Sequence, residues 1–97
     1  MSYASITVAE GLTMADYQAV TEQLGAQPAK GLASEAAGWN EAGLHVITVW
    51  DSKAEHDQFV TERLVPAFQA AAVNPGRMTF TDLADVVYRE NGKTADN

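Results

Sequence analysis

The chain has 97 residues, of which 46% are hydrophobic and 20% are charged, a balance typical of one globular domain. Thirteen acidic and six basic residues give a net charge of −7, which disfavours binding to nucleic acid or to anionic membranes. The sequence has no cysteine, which excludes disulfides and thiolate chemistry. It shows no signal-peptide pattern and no apolar run long enough to cross a membrane. We therefore expect a cytoplasmic protein with neither nucleic acid nor membrane as a partner.

A strand and a helix are predicted first. Residues 3–9 alternate between polar and apolar and predict a strand. Thr13 is a suitable N-cap for a helix over residues 14–24, with Asp16 at the third helical position and Gly25 at the C-terminal end. The apolar face of this helix carries Tyr17, Val20 and Leu24.

A hairpin follows. Residues 33–39 predict a weak strand, residues 40–43 a turn, and residues 44–50 the strongest strand of the chain. Alternation along this third strand gives two faces, one with Leu44, Val46, Thr48 and Trp50, the other with His45, Ile47 and Val49. Neither face is polar, although an antiparallel sheet covered on one side is expected to have a polar outer face. We therefore expect a second copy to cover the outer face, forming a homodimer.

The second half of the chain predicts a helix and a strand. Ser52 and Glu55 predict a reciprocal capping box at the start of a helix that runs to about residue 72. Pro66 predicts a kink or break near residues 62–65, because proline removes a helical hydrogen bond. A fourth strand is predicted within residues 78–88.

The predicted order is strand, helix, strand, strand, helix, strand. This βαββαβ order is the ferredoxin-like α+β plan, a four-stranded antiparallel sheet with two helices on one face. Residues 1–88 are expected to form this single domain, and the polar residues 89–97 a disordered tail.

The third strand and the helix after it resemble the dimeric α+β barrel superfamily. The strand ends in Trp50-Asp51-Ser52, an acidic helix start follows, and the helix continues through Phe59 to an Arg-Leu-Val-Pro-Ala stretch from Arg63. Similar segments occur in antibiotic-biosynthesis-monooxygenase-like and stress-responsive barrel proteins. The resemblance implies a homodimer whose two sheets pair as a barrel, with a small-molecule pocket between sheet and helices in each subunit.

Five residues are candidates for such a pocket. His45 is a candidate acid or base, since imidazole titrates near neutral pH, and Tyr17 lies on the helix face that borders the implied pocket. Trp50, Trp39 and Phe68 are candidates for contact with a flat apolar ligand. Core packing is the competing interpretation for the aromatic residues. His56, in the first turn of the second helix, is interpreted as a solvated residue.

Several functions remain open at this point. The resemblance implies a cofactor-independent monooxygenase acting on an aromatic or polyketide-like molecule, or a cyclase using His45 with Tyr17. A non-catalytic module that binds a small ligand or serves as an interaction scaffold is the alternative. The resemblance disfavours haem degradation. Haem-degrading members of the superfamily have a haem-ligating histidine late in the second helix and an asparagine in the pocket, whereas this late helix has no histidine and the first strand has no asparagine. We expect no metal and no other cofactor.

Overall fold

The chain folds as strand, helix, two strands, helix and strand, in the order predicted from the sequence. The computed structural model describes residues 2–90 and 93–94. The elements are β1 (Ser2–Ala9), α1 (Met14–Leu24), β2 (Leu32–Asn40), β3 (Gly43–Trp50), α2 (Lys53–Phe59), a π-helical turn (Val60–Leu64), α3 (Val65–Ala70), β4 (Met78–Val86), β5 (Arg89–Glu90) and β6 (Lys93–Thr94). The predicted fold class, a ferredoxin-like α+β fold, is confirmed.

One sheet holds the four long strands, in the order β2-β3-β1-β4, and all its neighbours are antiparallel. Residues directly opposite each other in such a sheet point to the same face. Ser5 lies opposite Thr48 on β3 and opposite Asp82 on β4, and Thr48 lies opposite Glu35 on β2. These four side chains form one row across the sheet, here called the polar row.

The helices cover the face of the sheet that carries the polar row, and we call this the inner face. A buried cluster of Ala9, Leu12 and Leu44 lies at one end of this layer, with Tyr17 and Phe68 packed against it. The opposite, outer face carries Ile47 and Leu83, each 46% exposed. The outer face is thus partly covered, since Ala4 on it is only 4% exposed, but it keeps exposed apolar residues.

Helix α1 begins and ends where the sequence predicts. Thr13 Oγ1 accepts a hydrogen bond from the Asp16 backbone N–H at 3.1 Å, and the Asp16 carboxylate accepts from the Thr13 N–H at 3.2 Å. The reciprocal pair satisfies two of the free N–H groups at the helix start. At the other end, the Arg63 guanidinium donates to the backbone carbonyls of Leu24, Gln27 and Pro28. This arginine ties α1 to the π-helical turn.

The second helix is interrupted just before Pro66. Proline has no N–H for the carbonyl four residues earlier, and the backbone widens into the π-helical turn Val60–Leu64. The Val65 N–H donates to the Val60 carbonyl, five residues back. This confirms the predicted break. The helix ends at Ala70, two residues earlier than predicted.

The predicted capping box at Ser52 forms only in part. Ser52 Oγ accepts from the Glu55 N–H at 3.2 Å, as expected. The Glu55 carboxylate, however, accepts from the Ser52 hydroxyl at 3.0 Å, so the expected bond to the Ser52 backbone N–H is corrected to a side-chain contact. Glu55 also lies close to Gly31, where an added Cβ would meet its carboxylate carbon at 2.5 Å. A side chain at residue 31 would displace Glu55.

The end of the chain differs from the predicted disordered tail where it is described. Arg89–Glu90 and Lys93–Thr94 pair as two short antiparallel strands. Residues 91, 92 and 95–97 of that predicted tail lie outside the described residues. The division into a domain of residues 1–88 and a separate tail stays a prediction.

Candidate functional site

A cavity of about 470 Å³ lies between the inner face of the sheet and the helices. Its volume is in the range of small-molecule sites. Most of its wall is apolar and comes from both layers, including Leu44, Val46, Phe59, Val60, Leu64 and Phe68. The widened π-helical turn contributes Val60 and Leu64 to this wall, so the break before Pro66 shapes the cavity.

The polar groups of the wall are concentrated on a few residues. Three members of the polar row, Glu35, Thr48 and Ser5, line the cavity, and so does His56 from α2. Glu35 is the one carboxylate among the lining residues. The cavity is therefore an apolar space with a band of hydroxyl, imidazole and carboxylate groups along part of its surface.

His56 is the residue that the sequence interpretation missed. Its side chain is 15% exposed and lines the cavity, so the expectation of a solvated residue is wrong. The ring lies 5.1 Å from the Tyr3 ring and 5.5 Å from the Trp50 ring, between centroids. A signal was present, because residue 56 is three and four positions before Phe59 and Val60, which places all three on one helix face.

The Asp57 carboxylate orients the His56 ring. His56 Nδ1 lies 3.0 Å from Asp57 Oδ1, so a neutral ring that donates from Nδ1 keeps the Nε2 lone pair free. Asp57 is in turn held by the Lys53 ammonium at 2.7 Å. The hydrogen bond from Lys53, followed by that from His56, lowers the pKa of Asp57. Asp57 thus stays ionised and fixes the imidazole.

Trp50 closes one end of the cavity. It is 1% exposed, and its indole N–H donates to Thr48 Oγ1 at 2.8 Å. Its ring packs against the Phe59 ring, at 5.3 Å between centroids, as well as against His56. Trp50 is therefore a rigid, almost fully covered part of the closed end of the cavity.

Tyr3 packs against His56 and forms a partly buried hydrogen bond from β1 to the neighbouring strand β4. Its hydroxyl donates to Asp82 Oδ1 at 2.7 Å. Burial, and then the hydrogen bond to Asp82 and the charge of that carboxylate, raise the pKa of Tyr3 to about 12. The phenol therefore remains a neutral donor at physiological pH, and Asp82 remains its acceptor.

The candidates from the sequence fall into two groups. Tyr17, Trp50 and Phe68 line the cavity. Trp39 packs edge-on against Tyr17 at 5.6 Å and donates to the Leu12 carbonyl at 3.2 Å, so it supports the cavity wall from behind. Contact of these four residues with a ligand stays a prediction.

His45 lies on the other side of the sheet from Tyr17. Its neighbours Leu44 and Val46 line the cavity, and alternation along the strand turns His45 to the outer face. Its Nδ1 lies 3.1 Å from the Gly43 carbonyl. The expected pair of His45 and Tyr17 across a pocket is therefore corrected: the sheet separates the two side chains.

Among the described residues, no three His, Cys, Asp or Glu side chains cluster in a way that would hold a metal ion. Within residues 2–90 and 93–94, no helix has the length and apolar character needed to span a membrane.

The comparisons with known proteins bear on the fold. The sequence matches no protein-family model and no curated protein. The structure is similar to that of a candidate antibiotic biosynthesis monooxygenase from Chloroflexus aurantiacus J-10-fl, with a TM-score of 0.67 and 14% identity over 95% of this chain and 100% of that one. It is also similar to a dimeric ferredoxin-like protein of unknown function from Jannaschia sp. CCS1, with a TM-score of 0.58 and 15% identity over 86% of this chain and 98% of that one.

The two similar structures show the fold class of this protein. The sequence resembles antibiotic-biosynthesis-monooxygenase-like and stress-responsive barrel proteins, and this resemblance is confirmed for the fold by the two similar structures. The chain is a ferredoxin-like α+β protein with a mainly apolar cavity between its sheet and its helices. Fold alone assigns no reaction.

Proposed function

We propose that this protein is a homodimer that binds a flat, hydrophobic small molecule in the cavity and oxidises it with molecular oxygen. The single observation that carries the proposal is the cavity of about 470 Å³ with an apolar wall and one oriented imidazole. The names of the two similar structures, one a candidate monooxygenase and one a dimer, add support.

The proposed ligand is aromatic or polyketide-like. Phe68 offers a flat surface for stacking, Tyr17 offers a ring with a hydroxyl, and Trp50 holds the closed end of the cavity rigid. Aromatic rings stack in offset or edge-on arrangements, and a wall made mainly of aliphatic and aromatic side chains stabilises a flat apolar molecule by removing its surface from water. Trp39 stabilises the position of Tyr17.

His56 is the proposed proton acceptor. An acidic C–H beside a carbonyl group loses its proton to Nε2, while Asp57 stabilises the imidazolium that forms. The resulting carbanion supplies the electrons that reduce oxygen, so the reaction needs neither a metal nor another cofactor. For an anthrone the balance is anthrone plus O₂ giving anthraquinone plus water: two C–H bonds break, one C=O bond forms, and the O–O bond is cleaved.

The homodimer is proposed from the outer face. Ile47 and Leu83 are 46% exposed there, and contiguous apolar patches on a small protein mark interaction surfaces. A second copy packed sheet against sheet covers both residues in both subunits and enlarges the core that a chain of this length can form.

The test uses anthrone as the probe, with oxygen uptake and anthraquinone formation measured above the spontaneous rate. The wild type is expected to accelerate the oxidation, and label from ¹⁸O₂ is expected in the quinone. His56→Gln should lower the rate by about 10²-fold or more, as expected on loss of a general base. His45→Gln is the matched control, because it changes the other histidine on the outer face, and it should retain activity.

The competing function is binding without turnover. It is favoured by how few titratable side chains the cavity wall carries, namely Glu35, Tyr17 and His56. Under this alternative anthrone stabilises the protein against heat but is recovered unchanged. If the wild type binds anthrone without oxygen uptake, the protein is a carrier or sensor and the proposed oxidation is wrong. If His56→Gln and His45→Gln lose activity equally, His56 is not the base.

A further inference from the structure

The exposed residues of the cavity wall lie at two opposite edges of the sheet. Thr21 and Glu35 lie on α1 and β2, whereas Val65, Gln69 and Phe80 lie on α3 and β4. Strands β2 and β4 are the two edge strands of the sheet. A wall residue that is also open to solvent marks a place where the cavity meets the surface. The two groups therefore mark two openings, here called the β2 opening and the β4 opening.

The geometry of α3 directs Val65 and Gln69 to the β4 opening. Residues four apart share one face of an α-helix, whereas residues two apart point in nearly opposite directions. Ala67 is 4% exposed and lines, together with Leu24 of α1, a small pocket between the two helices. Because the Ala67 face meets α1, Val65 and Gln69 face away from α1, on the side of the helix layer that leads to β4.

Phe80 forms the sheet side of the β4 opening. It is 58% exposed, although it lies on the inner face, opposite Thr7, which also lines the cavity. Since β4 is an edge strand, one side of the Phe80 ring is left uncovered. On the helix side, Val65 is 47% exposed. The rim of this opening thus has an exposed apolar side chain in each of the two layers.

The two openings differ in polarity. The β2 opening is bordered by the Glu35 carboxylate and by Thr21, whose hydroxyl donates to the Tyr17 carbonyl. An apolar molecule that passes a carboxylate displaces water from it and returns no hydrogen bond, which is costly. Passage between Phe80 and Val65 instead removes apolar surface from water on both sides, which is favourable. The β4 opening therefore suits an apolar ligand better.

We propose that the hydrophobic ligand enters and leaves the cavity through the β4 opening, with Phe80 and Val65 as its apolar rim. This deepens the proposed function and rests on it. The rim lies outside the group of residues that would carry the chemistry, since His56 is on α2 and the rim is on α3 and β4. Phe80 and Val65 thereby control the rate of ligand exchange.

The experiment blocks each opening with a bulky label. The sequence has no cysteine, so one introduced cysteine is labelled at one position only. The full-length variants Phe80→Cys, Glu35→Cys and Met14→Cys are compared before and after reaction with a maleimide that carries a short glutamate peptide, which is bulky, charged and colourless. Met14→Cys is the matched control, because Met14 is 53% exposed and does not line the cavity.

The probe is 9-fluorenone, and its association rate is measured by stopped-flow quenching of tryptophan fluorescence. The label on Phe80→Cys should slow association about tenfold or more, within the range over which association rates vary among variants of one site. The label on Glu35→Cys should slow it less, and the label on Met14→Cys should leave it unchanged. If unlabelled Phe80→Cys does not fold, Val65→Cys blocks the same opening from the helix side.

The opposite results separate the entrance from the proposed function. If the label on Glu35→Cys slows association more, the ligand enters at β2. If the two labels act equally or not at all, the β4 opening is not the route. If folded Phe80→Cys does not react with the maleimide, the rim is covered. Each of these results overturns the inference while the proposed function stands, whereas a wild type that does not bind 9-fluorenone removes both.

Discussion

The two faces of the sheet come from the same four strands and differ in how their polar groups are used. The inner face, beside the cavity, carries two side-chain hydrogen bonds: Trp50 donates to Thr48, and Tyr3 donates to Asp82. The outer face presents mainly aliphatic, hydroxyl and small residues: Ala4, Ile6, Val8, Ala36, Ile47, Val49, Thr79, Thr81 and Leu83. Hydrogen-bonding groups beside a cavity are suited to the recognition of a small molecule, whereas a flat apolar surface is suited to packing against a second sheet.

The two histidines show the same contrast. His45 on β3 turns to the outer face, while His56 on α2 lies against Tyr3 and Trp50 at the cavity. The same residue type is thus placed once where a protein surface is proposed to dock and once where a ligand is proposed to bind. Position in the layered fold decides which histidine is available for chemistry.

The strongest test of the outer face is Ile47→Glu. A twofold interface contains this position twice, so the variant would bury two unpaired carboxylates, at a cost of at least about 5 kcal/mol. We expect the wild type to be a dimer at micromolar concentration and the variant to be a monomer, as measured by light scattering.

Met14→Glu is the control for that change. Met14 is 53% exposed and lies on α1, away from the sheet, so the variant adds the same charge at a similarly exposed apolar position. It should remain a dimer. A dimer that survives Ile47→Glu, or a wild type that is a monomer, would contradict the proposed assembly.

The inner face is tested by truncating its two tryptophans separately. Trp50 is 1% exposed and packed on His56 and Phe59, whereas Trp39 is 38% exposed. Trp50→Ala should lower the free energy of unfolding by about 4 kcal/mol, and Trp39→Ala by about half of that, as measured by urea unfolding. Equal effects would mean that the closed end of the cavity is no better packed than its edge.

The sequence predicted the fold well because local signals and tertiary packing agree. Thr13 and Asp16 set the start of α1, Pro66 set the break in the second helix, and a run of β-branched and aromatic residues marked β3. The candidate functional site was predicted less well from the sequence. When a strand is apolar on both faces, its sequence does not reveal which face the helices cover. If the wrong face is assigned to the helices, every side chain of the strand is placed on the wrong side of the sheet.

His56 illustrates what remained hidden. It was interpreted from its acidic neighbours rather than from the apolar helix face that it shares with Phe59. Its position beside Tyr3 and Trp50 depends on contacts between elements far apart in the chain, and the pattern of a single helix contains no such information.

The smallest expected effect concerns the hydrogen bond from Tyr3 to Asp82 on the inner face. The folded-state pKa of Tyr3 is raised from 10.0 to about 12, so the protonated phenol stabilises the fold fully below about pH 10. This stabilisation is lost as the pH rises toward 12. We expect the free energy of unfolding to fall by about 1 kcal/mol over this interval, with solvent screening limiting the size.

Tyr3→Phe separates this effect from other groups that titrate at high pH. The pKa of Lys53 is also raised, chiefly by its hydrogen bond to Asp57, so the wild type loses this contact too at alkaline pH. The variant keeps the Lys53 contribution and lacks that of Tyr3, so its unfolding free energy should fall less between pH 10 and pH 12. Absorbance at 295 nm should show that the missing tyrosinate is the one that ionises near pH 12. If the two proteins lose stability in parallel, the bond to Asp82 contributes nothing, and the inner face is held by its apolar contacts alone.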